Sequence, residues 1–457
     1  MREGLATALE AVVGPAHVLT DDAVAAYAID GVRPALVALP DDEAQIIDTL
    51  RLAAEYQATV FPRGGGSHMS LGHTPTQVDL ILSVERLQRQ LAYEPADLTT
   101  TVQAGIGFVA LQQTLQAGGQ FLALDPPVTS TTTLGGVVMT NRSGPRRLLY
   151  GTARDVVLGT TVITIDGTRV KAGGRVVKNV TGYDVNKLYI GSLGTLGILV
   201  ELTCKLHPLP PGELTLVVSC AAYTDVAVIL PTIMQLPLRL NSLELLNSTA
   251  CARLAAHAAL ALPDTAYTLV VRVEGPPEVT ESQAQRLTSA LQRLALTRPV
   301  RVYTCNATER ERLWGGLGTL TQGPTDAEDT MAGVVVKVSL LMDALPPFCQ
   351  TVQEMASSAA MAWSLVAHAG SGIVYVEIPG APAVPHDVER LLAHLQDLEA
   401  CVAQHHGHMV VERAPVALKQ RWPVWGTSRD DFALMRAIKT SYDPQHRLNP
   451  GRFLGGL

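Results

Sequence analysis

Three glycine-bearing stretches in the first 200 residues constrain the fold of this chain most strongly. They are PRGGGSHMSLG (62–72), STTTLGGVVMTNRSGPRRLLYGTARD (130–155) and KNVTGYDVNKLYIGSLGTLGI (178–198). Glycine loses more backbone entropy on folding than any other residue, so a consecutive triplet indicates a turn that another group must approach closely. Backbone N–H groups in such loops can bind phosphates, and three loops together predict a large, extended anionic ligand.

Each loop taken alone is also compatible with an ordinary turn. The glycines lack the G-x-G-x-x-G spacing, followed about 20 residues later by an acidic residue, that marks a dinucleotide-binding Rossmann unit. No glycine loop is followed by the Lys and Ser or Thr of a phosphate-binding P-loop. The pattern therefore disfavours both of these nucleotide sites.

Length and charge narrow the class of protein. The chain has 457 residues, which is enough for two or three domains, and 47% of them are hydrophobic. A net charge of -7 gives no basic footprint for nucleic acid. The sequence shows no signal-peptide pattern and no apolar run of about 18 residues, so we expect a cytoplasmic protein that meets a membrane only through partners.

The six cysteines carry no CxxC spacing. That pattern argues against a zinc knuckle or an iron–sulfur cluster held by this chain alone. We expect most of them to be small buried hydrophobic residues. They are Cys204, Cys220, Cys251, Cys305, Cys349 and Cys401.

Local patterns predict an α+β fold. Residues 41–57 open with acidic capping residues and carry apolar residues at helical spacing, and 59–61 and 78–83 are typical of strands. A helix that starts near Phe108 should close at Gly118-Gly119. Strand patterns on both sides of Asp166-Gly167 predict a β-hairpin. Helices mixed with local hairpins favour α+β over a doubly wound parallel sheet.

Prolines suggest a domain boundary. Pro208, Pro210 and Pro211 interrupt the chain, and the alternation of strand and helix patterns restarts after them. We expect a first domain over 1–210, a second α+β domain over 211–440, and a tail over 441–457.

The glycine stretches and the terminal LNPGRF together resemble the FAD-linked oxidases of the vanillyl-alcohol oxidase type, which carry a PCMH-type FAD-binding domain. Within that family the chain is similar to the branch of glycolate oxidase and D-lactate dehydrogenase. The resemblance implies a PCMH-type FAD-binding domain of two α+β subdomains, then a cap domain with an antiparallel sheet and helices, and a tail returning to the FAD domain.

The resemblance also implies a set of FAD-binding residues. The glycine triplet would bind the pyrophosphate, the second stretch would line the other side of the dinucleotide, and the third would lie near an end of the flavin. Some relatives attach the flavin covalently through a histidine that directly follows the glycines, but here Ser67 intervenes, which favours non-covalent FAD. The set is Arg63, Gly64, Gly65, Gly66, Ser67, His68, Thr131, Thr132, Gly135, Gly136, Gly144, Gly151, Thr152, Asp155, Gly197 and Ile198.

The catalytic half departs from the family pattern. Relatives carry His-Ala-Gly-Asp-Gly-Asn-x-His and Gly-Glu-His-Gly stretches, which supply a metal site and a base. This chain has HAGSGIVY at 368–375 and GHMVVERAP at 407–415. We therefore predict no catalytic metal and assign no catalytic residue. His368 is expected to be a hydrogen-bonded core histidine, and Glu412 with Arg413 a structural ion pair, although Arg413 is also a candidate anion binder.

These two stretches and NPGRF are similar to those of the second flavin-binding subunit of glycolate oxidase. That resemblance implies partner chains, namely a related FAD catalytic subunit and an iron–sulfur subunit, and a small hydroxy acid as substrate. Two alternatives stay open at this point. One is a self-sufficient flavin oxidoreductase with different substrate-binding groups, and the other is a structural paralogue that has lost its flavin.

Overall fold

The computed structural model describes residues 2–176, 182–296, 298–322, 333–380, 385–427 and 430–457. The helices are α1 (Arg2–Val13), α2 (Glu43–Glu55), α3 (Phe108–Ala117), α4 (Leu134–Met139), α5 (Arg147–Tyr150), α6 (Ala153–Val156), α7 (Asn186–Tyr189), α8 (Tyr223–Gln235), α9 (Ser248–Ala258), α10 (Pro277–Gln292), α11 (Ala307–Gln322), α12 (Leu345–Ser358), α13 (Pro385–Gln404), α14 (Val416–Lys419) and α15 (Phe432–Tyr442). The strands are β1 (Val18–Leu19), β2 (Leu36–Ala38), β3 (Val60–Arg63), β4 (Leu80–Ser83), β5 (Gln90–Glu94), β6 (Thr99–Gln103), β7 (Gln120–Phe121), β8 (Val157–Ile163), β9 (Arg169–Gly173), β10 (Ile198–Lys205), β11 (His207–Pro208), β12 (Glu213–Cys220), β13 (Ser242–Asn247), β14 (Tyr267–Glu274), β15 (Val302–Thr304), β16 (Val334–Ser339), β17 (Ser364–His368), β18 (Ile373–Ile378) and β19 (His408–Arg413).

The chain divides into two compact units, and neither is a single continuous stretch. Unit 1 consists of residues 1–143, 151–209 and 427–457, and unit 2 consists of residues 144–150 and 210–426. The boundary between the 151–209 stretch of unit 1 and the 210–426 stretch of unit 2 therefore lies between Leu209 and Pro210, within the proline cluster. Among the described helices, none is both long enough and apolar enough to cross a membrane.

Unit 1 contains two main sheets. In the first, of order β1-β2-β4-β3, the last three strands run parallel. In the second, of order β5-β6-β10-β8-β9, neighbouring strands are antiparallel. Strands β8 and β9 form the hairpin that Asp166-Gly167 predicts, with Ile163 opposite Arg169. The mixture confirms the α+β prediction.

Local sequence signals explain the helices of unit 1. Helix α2 starts where Asp42 accepts a hydrogen bond from the amide of Gln45 at 2.8 Å, as expected of an N-cap. Its apolar face, which includes Ile46 and Leu50, packs into a core against β2, β3 and β4. Helix α3 ends at Gly118, as predicted.

Unit 2 is built on one antiparallel sheet of order β15-β12-β14-β13-β17-β18-β16-β19. This architecture confirms the antiparallel sheet with helices that the family resemblance implies for the second domain. Every second residue of a strand points to the same face of the sheet, as Leu269 and Val271 of β14 do. These residues pack in a large hydrophobic core against helices that include α8, α12 and α13. The opposite face carries Val270, which packs with α9 and α11, and several charged side chains.

All six cysteines are buried and none forms a disulfide. Burial raises the pKa of the thiols of Cys204 and Cys349 to about 12, so these thiols stay protonated at neutral pH. They pack as small hydrophobic residues, as the sequence predicts.

Candidate functional site: a glycine-lined cleft in unit 1

The glycine triplet follows directly from β3. Arg63, the last residue of that strand, pairs with Glu85 at 3.1 Å, and its guanidinium lies 4.3 Å from the centre of the Tyr27 ring. It also donates to the carbonyl of Gly64 at 3.3 Å. Arg63 is therefore fixed by protein contacts at the start of the turn.

Protein atoms account for the three glycines themselves. An ideal Cβ on Gly64 would lie 2.3 Å from Oγ1 of Thr133, and one on Gly65 would lie 1.4 Å from the carbonyl oxygen of Thr131. Gly66 has φ +81, and its Cβ would lie 2.4 Å from the Arg63 guanidinium. The second glycine stretch therefore packs against the first, so that no side chain fits between them.

The same turn presents a row of backbone donors. The amides of Gly65, Gly66, Ser67 and His68 donate no hydrogen bond to any residue that the structure describes. Successive N–H groups of this kind form a concave anion-binding surface. The turn can therefore accept a phosphate group without any charged side chain.

The second glycine stretch forms another wall. Thr133 caps α4 by accepting the amide of Gly136 at 3.2 Å, and the amide of Gly135 donates to the carbonyl of Ala104 at 2.8 Å. Both amides are used within the fold. Gly135 and Gly136 thus contribute close approach of the backbone to the cleft rather than free donors.

The third wall comes from residues 193–199. Gly194 has φ +74, and its Cβ would lie 2.9 Å from the ring of Pro62. Gly197 has φ +155, and its Cβ would lie 2.4 Å from Val162. Residues 178–181, which begin the third glycine stretch in the sequence, lie outside the described residues.

Together these walls enclose a cleft of about 770 Å³, its opening to solvent included. The cleft brings together many of the residues that the sequence analysis selected, while Thr131 contributes through its carbonyl behind Gly65. The selected residues that line it are Arg63, Gly64, Gly65, Gly66, Ser67, His68, Gly135, Gly136, Gly197 and Ile198.

Other selected residues do not line this cleft. Thr152 and Asp155 form a reciprocal cap at the start of α6, in which the Asp155 carboxylate accepts the amide of Thr152 at 2.8 Å. Gly151 has φ +79 and lies against the same carboxylate. Gly144 belongs to unit 2. Thr132 bonds the amide of Thr129 through its hydroxyl at 2.8 Å.

The cleft is also lined by residues that were not selected from the sequence, and among them are Asn449 and Arg452 from the C-terminal tail. Both belong to the LNPGRF stretch. That motif contributed to the family resemblance, but no FAD-binding role was predicted for its residues. Burial lowers the pKa of the Arg452 guanidinium to about 10, although nearby Asp30 acts in the opposite direction. At neutral pH the guanidinium is charged.

His68 is neutral in this setting. Desolvation in the cleft, together with the nearby Arg142 guanidinium, lowers the pKa of His68 to about 3. Its Nδ1 lies 2.9 Å from Oγ of Ser67. The intervening serine that the sequence highlights therefore engages one of the two ring nitrogens.

Unit 2 holds a separate polar row on one face of its sheet. Nδ1 of His368 lies 2.8 Å from Oε2 of Glu244 on the adjacent strand, and the two side chains are 3% and 1% exposed. The Tyr375 ring lies edge-on to His368 at 5.5 Å, and Lys337 faces Tyr375 across the β16–β18 pair. The prediction that His368 is a hydrogen-bonded core histidine is confirmed.

The Glu412 carboxylate lies 4.0 Å from the Lys337 ammonium group, and Arg413 ends β19. The HAGSGIVY stretch contributes His368 and Tyr375 to this row, and the VVERAP stretch contributes Glu412. Tyr375 and Glu412 lie on β18 and β19, the two strands that flank β16. Within the described residues, no cluster of His, Cys, Asp and Glu side chains could hold a metal ion.

Two family models match the chain. A model of the FAD binding domain matches residues 34–173, and a model of the C-terminal domain of FAD linked oxidases matches residues 209–453. The chain belongs to the FAD-linked oxidases. It is an FAD-dependent oxidoreductase by family, and the glycine-lined cleft lies in the unit that carries the FAD-binding match.

Similar proteins cover almost the whole chain. D-2-hydroxyglutarate dehydrogenase of Xanthomonas citri pv. viticola is 29% identical over 92% of this chain and 89% of its own length. Glycolate oxidase subunit GlcD of Bacillus subtilis is 26% identical over 92% of this chain and 88% of its own length. An uncharacterised FAD-linked oxidoreductase of Mycobacterium tuberculosis is 29% identical over 97% of both chains.

Solved structures share the fold. That of p-cresol methylhydroxylase with bound substrate has a TM-score of 0.78 at 16% identity and covers 98% of this chain and 96% of that chain. That of 4-ethylphenol oxidase from Gulosibacter chungangensis has a TM-score of 0.75 at 15% identity and covers 98% and 96%. These likenesses confirm the PCMH-type fold.

The cleft fits FAD by its own chemistry. The glycine turn presents adjacent backbone amides that donate to none of the described residues. Adjacent amide donors of this kind can bind a pyrophosphate. The remaining walls are largely apolar, with Met139, Leu193 and Ile198 among them, as flat aromatic rings require. The fold of the FAD-linked oxidases and the hydrogen-bond donors of the cleft thus both fit FAD as the ligand.

Proposed function

We propose that this chain is an FAD-binding subunit of a multi-subunit oxidoreductase that oxidises a 2-hydroxy acid. The observation that carries the proposal is the alignment across both domains with relatives named for 2-hydroxy acids. Glycolate, D-lactate and D-2-hydroxyglutarate all carry a hydroxyl group on the carbon next to a carboxylate, and the relatives named for them are 23–29% identical over 92–97% of this chain.

In the proposed site, the amides of Gly65, Gly66, Ser67 and His68 bind the pyrophosphate, and Arg63 holds the turn in place through Glu85. Gly136 and Gly197 let the backbone approach the dinucleotide. The other residues selected from the sequence stay predictions for the FAD site, namely Thr131, Thr132, Gly144, Gly151, Thr152 and Asp155. Bound FAD would supply the two-electron acceptor of the reaction.

The subunit role is supported by the catalytic stretches. HAGSGIVY and VVERAP lack the acidic and histidine residues that catalytic relatives carry at those positions. The buried, widely spaced cysteines offer no thiolate set for an iron–sulfur cluster. We therefore propose a larger flavin chain and a cysteine-rich chain as partners, with this chain cytoplasmic and at a membrane only through them.

The test uses the purified chain with its own flavin. Under anaerobic conditions, glycolate, D-lactate and D-2-hydroxyglutarate are added to the chain alone and to the chain co-purified with its two proposed partners. We expect the flavin bands of this chain to bleach only in the complex. If none of the three acids bleaches the flavin bands of the complex, the proposed substrate class is overturned.

A second candidate function is a self-sufficient oxidoreductase. The observation that favours it is the Glu244–His368 pair, because a carboxylate that holds Nδ1 of a histidine leaves Nε2 to accept a proton. In this case His368 would accept the hydroxyl proton of the substrate, and Lys337 would bind its carboxylate. Bleaching of the isolated chain, lost in His368→Asn but kept in Glu389→Gln on the surface, would establish it.

A further inference from the structure

The segment 439–452 is the part of unit 1 that joins the walls of the glycine-lined cleft. It follows the whole of unit 2 in sequence, yet it hydrogen-bonds to residues near 60, 70 and 195. It also supplies Asn449 and Arg452 to the lining of the cleft. We call residues 439–452 the closing segment.

Its first anchor is a buried ion pair. The Lys439 ammonium group donates to the carboxylate of Asp443 at 2.6 Å and to the carbonyls of Thr195 and Leu448 at 2.8 and 2.9 Å. The same carboxylate accepts the amide of Leu448 at 2.7 Å. All three donors of the ammonium group are thus used, and one of them holds the 193–195 wall.

The second anchor extends the parallel sheet. The amide of Val60 donates to the carbonyl of Arg447 at 2.8 Å, and the amide of Asn449 donates to the carbonyl of Val60 at 2.9 Å. These bonds pair Leu448 with Val60 on the outer side of β3, the strand that leads into the glycine triplet. The side-chain amide of Asn449 donates to the carbonyl of Leu193 at 2.6 Å.

The third anchor holds the end of the glycine turn. Arg452 is 2% exposed, and its guanidinium donates to the carbonyls of Met69, Leu71 and His73. The amide of His73 donates back to the carbonyl of Arg452 at 3.2 Å. One planar guanidinium therefore fixes the curvature of the loop that continues from the free amides.

We propose that the closing segment is a positioning element for FAD, with Arg452 as its main positioning residue. Arg452 holds the 65–73 turn in the conformation in which its amides converge, while Lys439 and Asn449 hold the opposite wall. Binding to a preorganised turn avoids the cost of ordering that turn. By thermodynamic linkage, bound FAD must in return stabilise the closing segment.

The inference rests on the proposed assignment of the cleft as the FAD site, and its test needs no hydroxy acid. The FAD dissociation constant is measured by flavin fluorescence for wild type, Arg452→Met and Arg452→Lys, with Arg436→Met on the exposed face of α15 as the matched control. We expect the constant to rise at least tenfold in Arg452→Met, by less in Arg452→Lys, and not at all in Arg436→Met. A folded Arg452→Met variant within twofold of wild type would overturn the proposal.

Hydrogen exchange of the wild-type chain gives a second readout that needs no variant to fold. FAD should slow exchange of the Leu448 and Asn449 amides at least tenfold, and equal exchange with and without FAD would overturn the proposal. Gly136→Leu tests the cleft assignment separately from the role of the closing segment. Gly136 lines the cleft, and the nearest described atom to a Cβ there, outside its own helix backbone and chain neighbours, is the Thr133 hydroxyl oxygen at 3.2 Å. If Gly136→Leu leaves FAD affinity unchanged, the cleft assignment fails, and the closing segment's role fails with it.

Discussion

The carbonyl oxygen of Thr131 lies where the side chain of residue 65 would begin, 1.4 Å from an ideal Cβ on Gly65. The two glycine stretches that stand out in the sequence therefore contact each other, main chain against main chain. The triplet lacks side chains first because a neighbouring loop occupies the space they would need. The amides of Gly65 and Gly66 have no hydrogen-bond acceptor among the residues that the structure describes.

Gly65→Ala should destabilise unit 1. A methyl group placed on a backbone oxygen cannot be relieved by rotating a side chain, so the loops must separate at a cost of about 1–3 kcal/mol or more. Urea unfolding of the chain measures this cost. Gly107→Ala is the control, because the nearest described atom to a Cβ there, chain neighbours aside, is the Ala110 methyl at 3.9 Å. Equal stability of the two variants would contradict the prediction.

Glu244→Leu should cost stability in unit 2. The substitution removes the buried partner of His368 and leaves a buried ring nitrogen without its hydrogen bond, for a loss of about 1–3 kcal/mol. The surface pair of Glu389 with Arg421 offers the control, since Glu389→Gln should leave the unfolding midpoint unchanged. A Glu244→Leu midpoint equal to that of wild type would show that the buried bond adds no net stability.

Stability should fall on acidification partly through His68. The folded pKa of His68 is about 3, against 6.5 in the unfolded chain. Between these values the unfolded chain binds a proton that the folded chain does not, so the free energy of unfolding drops by at most about 1.4 kcal/mol per pH unit. Chemical unfolding of wild type and His68→Gln at pH 7 and pH 5 measures the difference. Identical losses in both proteins would argue against it.

The flavin should be released by acid precipitation. Non-covalent FAD leaves the denatured protein, so the supernatant becomes yellow and the pellet colourless. We expect this because Ser67 separates His68 from the glycines and engages its Nδ1. Flavin that stays in the pellet of wild type, but not in that of His68→Gln, would indicate a covalent bond at this histidine.

The sequence was most informative where structure is local. The Asp42 cap, the hairpin at Asp166-Gly167 and the end of α3 at Gly118 each depend on residues within a few positions of one another. The motifs of the glycine stretches likewise located the walls of the cleft, because backbone approach demands glycine at particular positions.

Long-range contacts were not visible from these patterns. The bonds of Arg452 to the 69–73 loop join residues about 380 positions apart, and no periodicity or capping rule links them. Thr152 and Asp155 form a helix cap, a contact that their spacing of three suits but that was not predicted, and their place in the FAD site stays a prediction. The pairing of Glu244 with His368 needed the strand register of the sheet.

The segment 144–150 shows the same limit. Its Arg146 pairs with the buried Glu274 at 2.6 Å, and Tyr150 donates to the same carboxylate at 3.0 Å, so these seven residues belong to unit 2. The sequence around them was assigned to the first domain, because a short excursion into another unit leaves no compositional trace.

The pairing of Val60 with residues 447–449 has a consequence for biosynthesis. A ribosome makes β3 early, but its outer edge waits for partners that are translated only after all of unit 2. Unit 1 therefore cannot mature cotranslationally ahead of unit 2. Nascent chains stalled before residue 447 should expose that edge to chaperones, and the glycine-lined cleft is completed only when translation has passed Arg452.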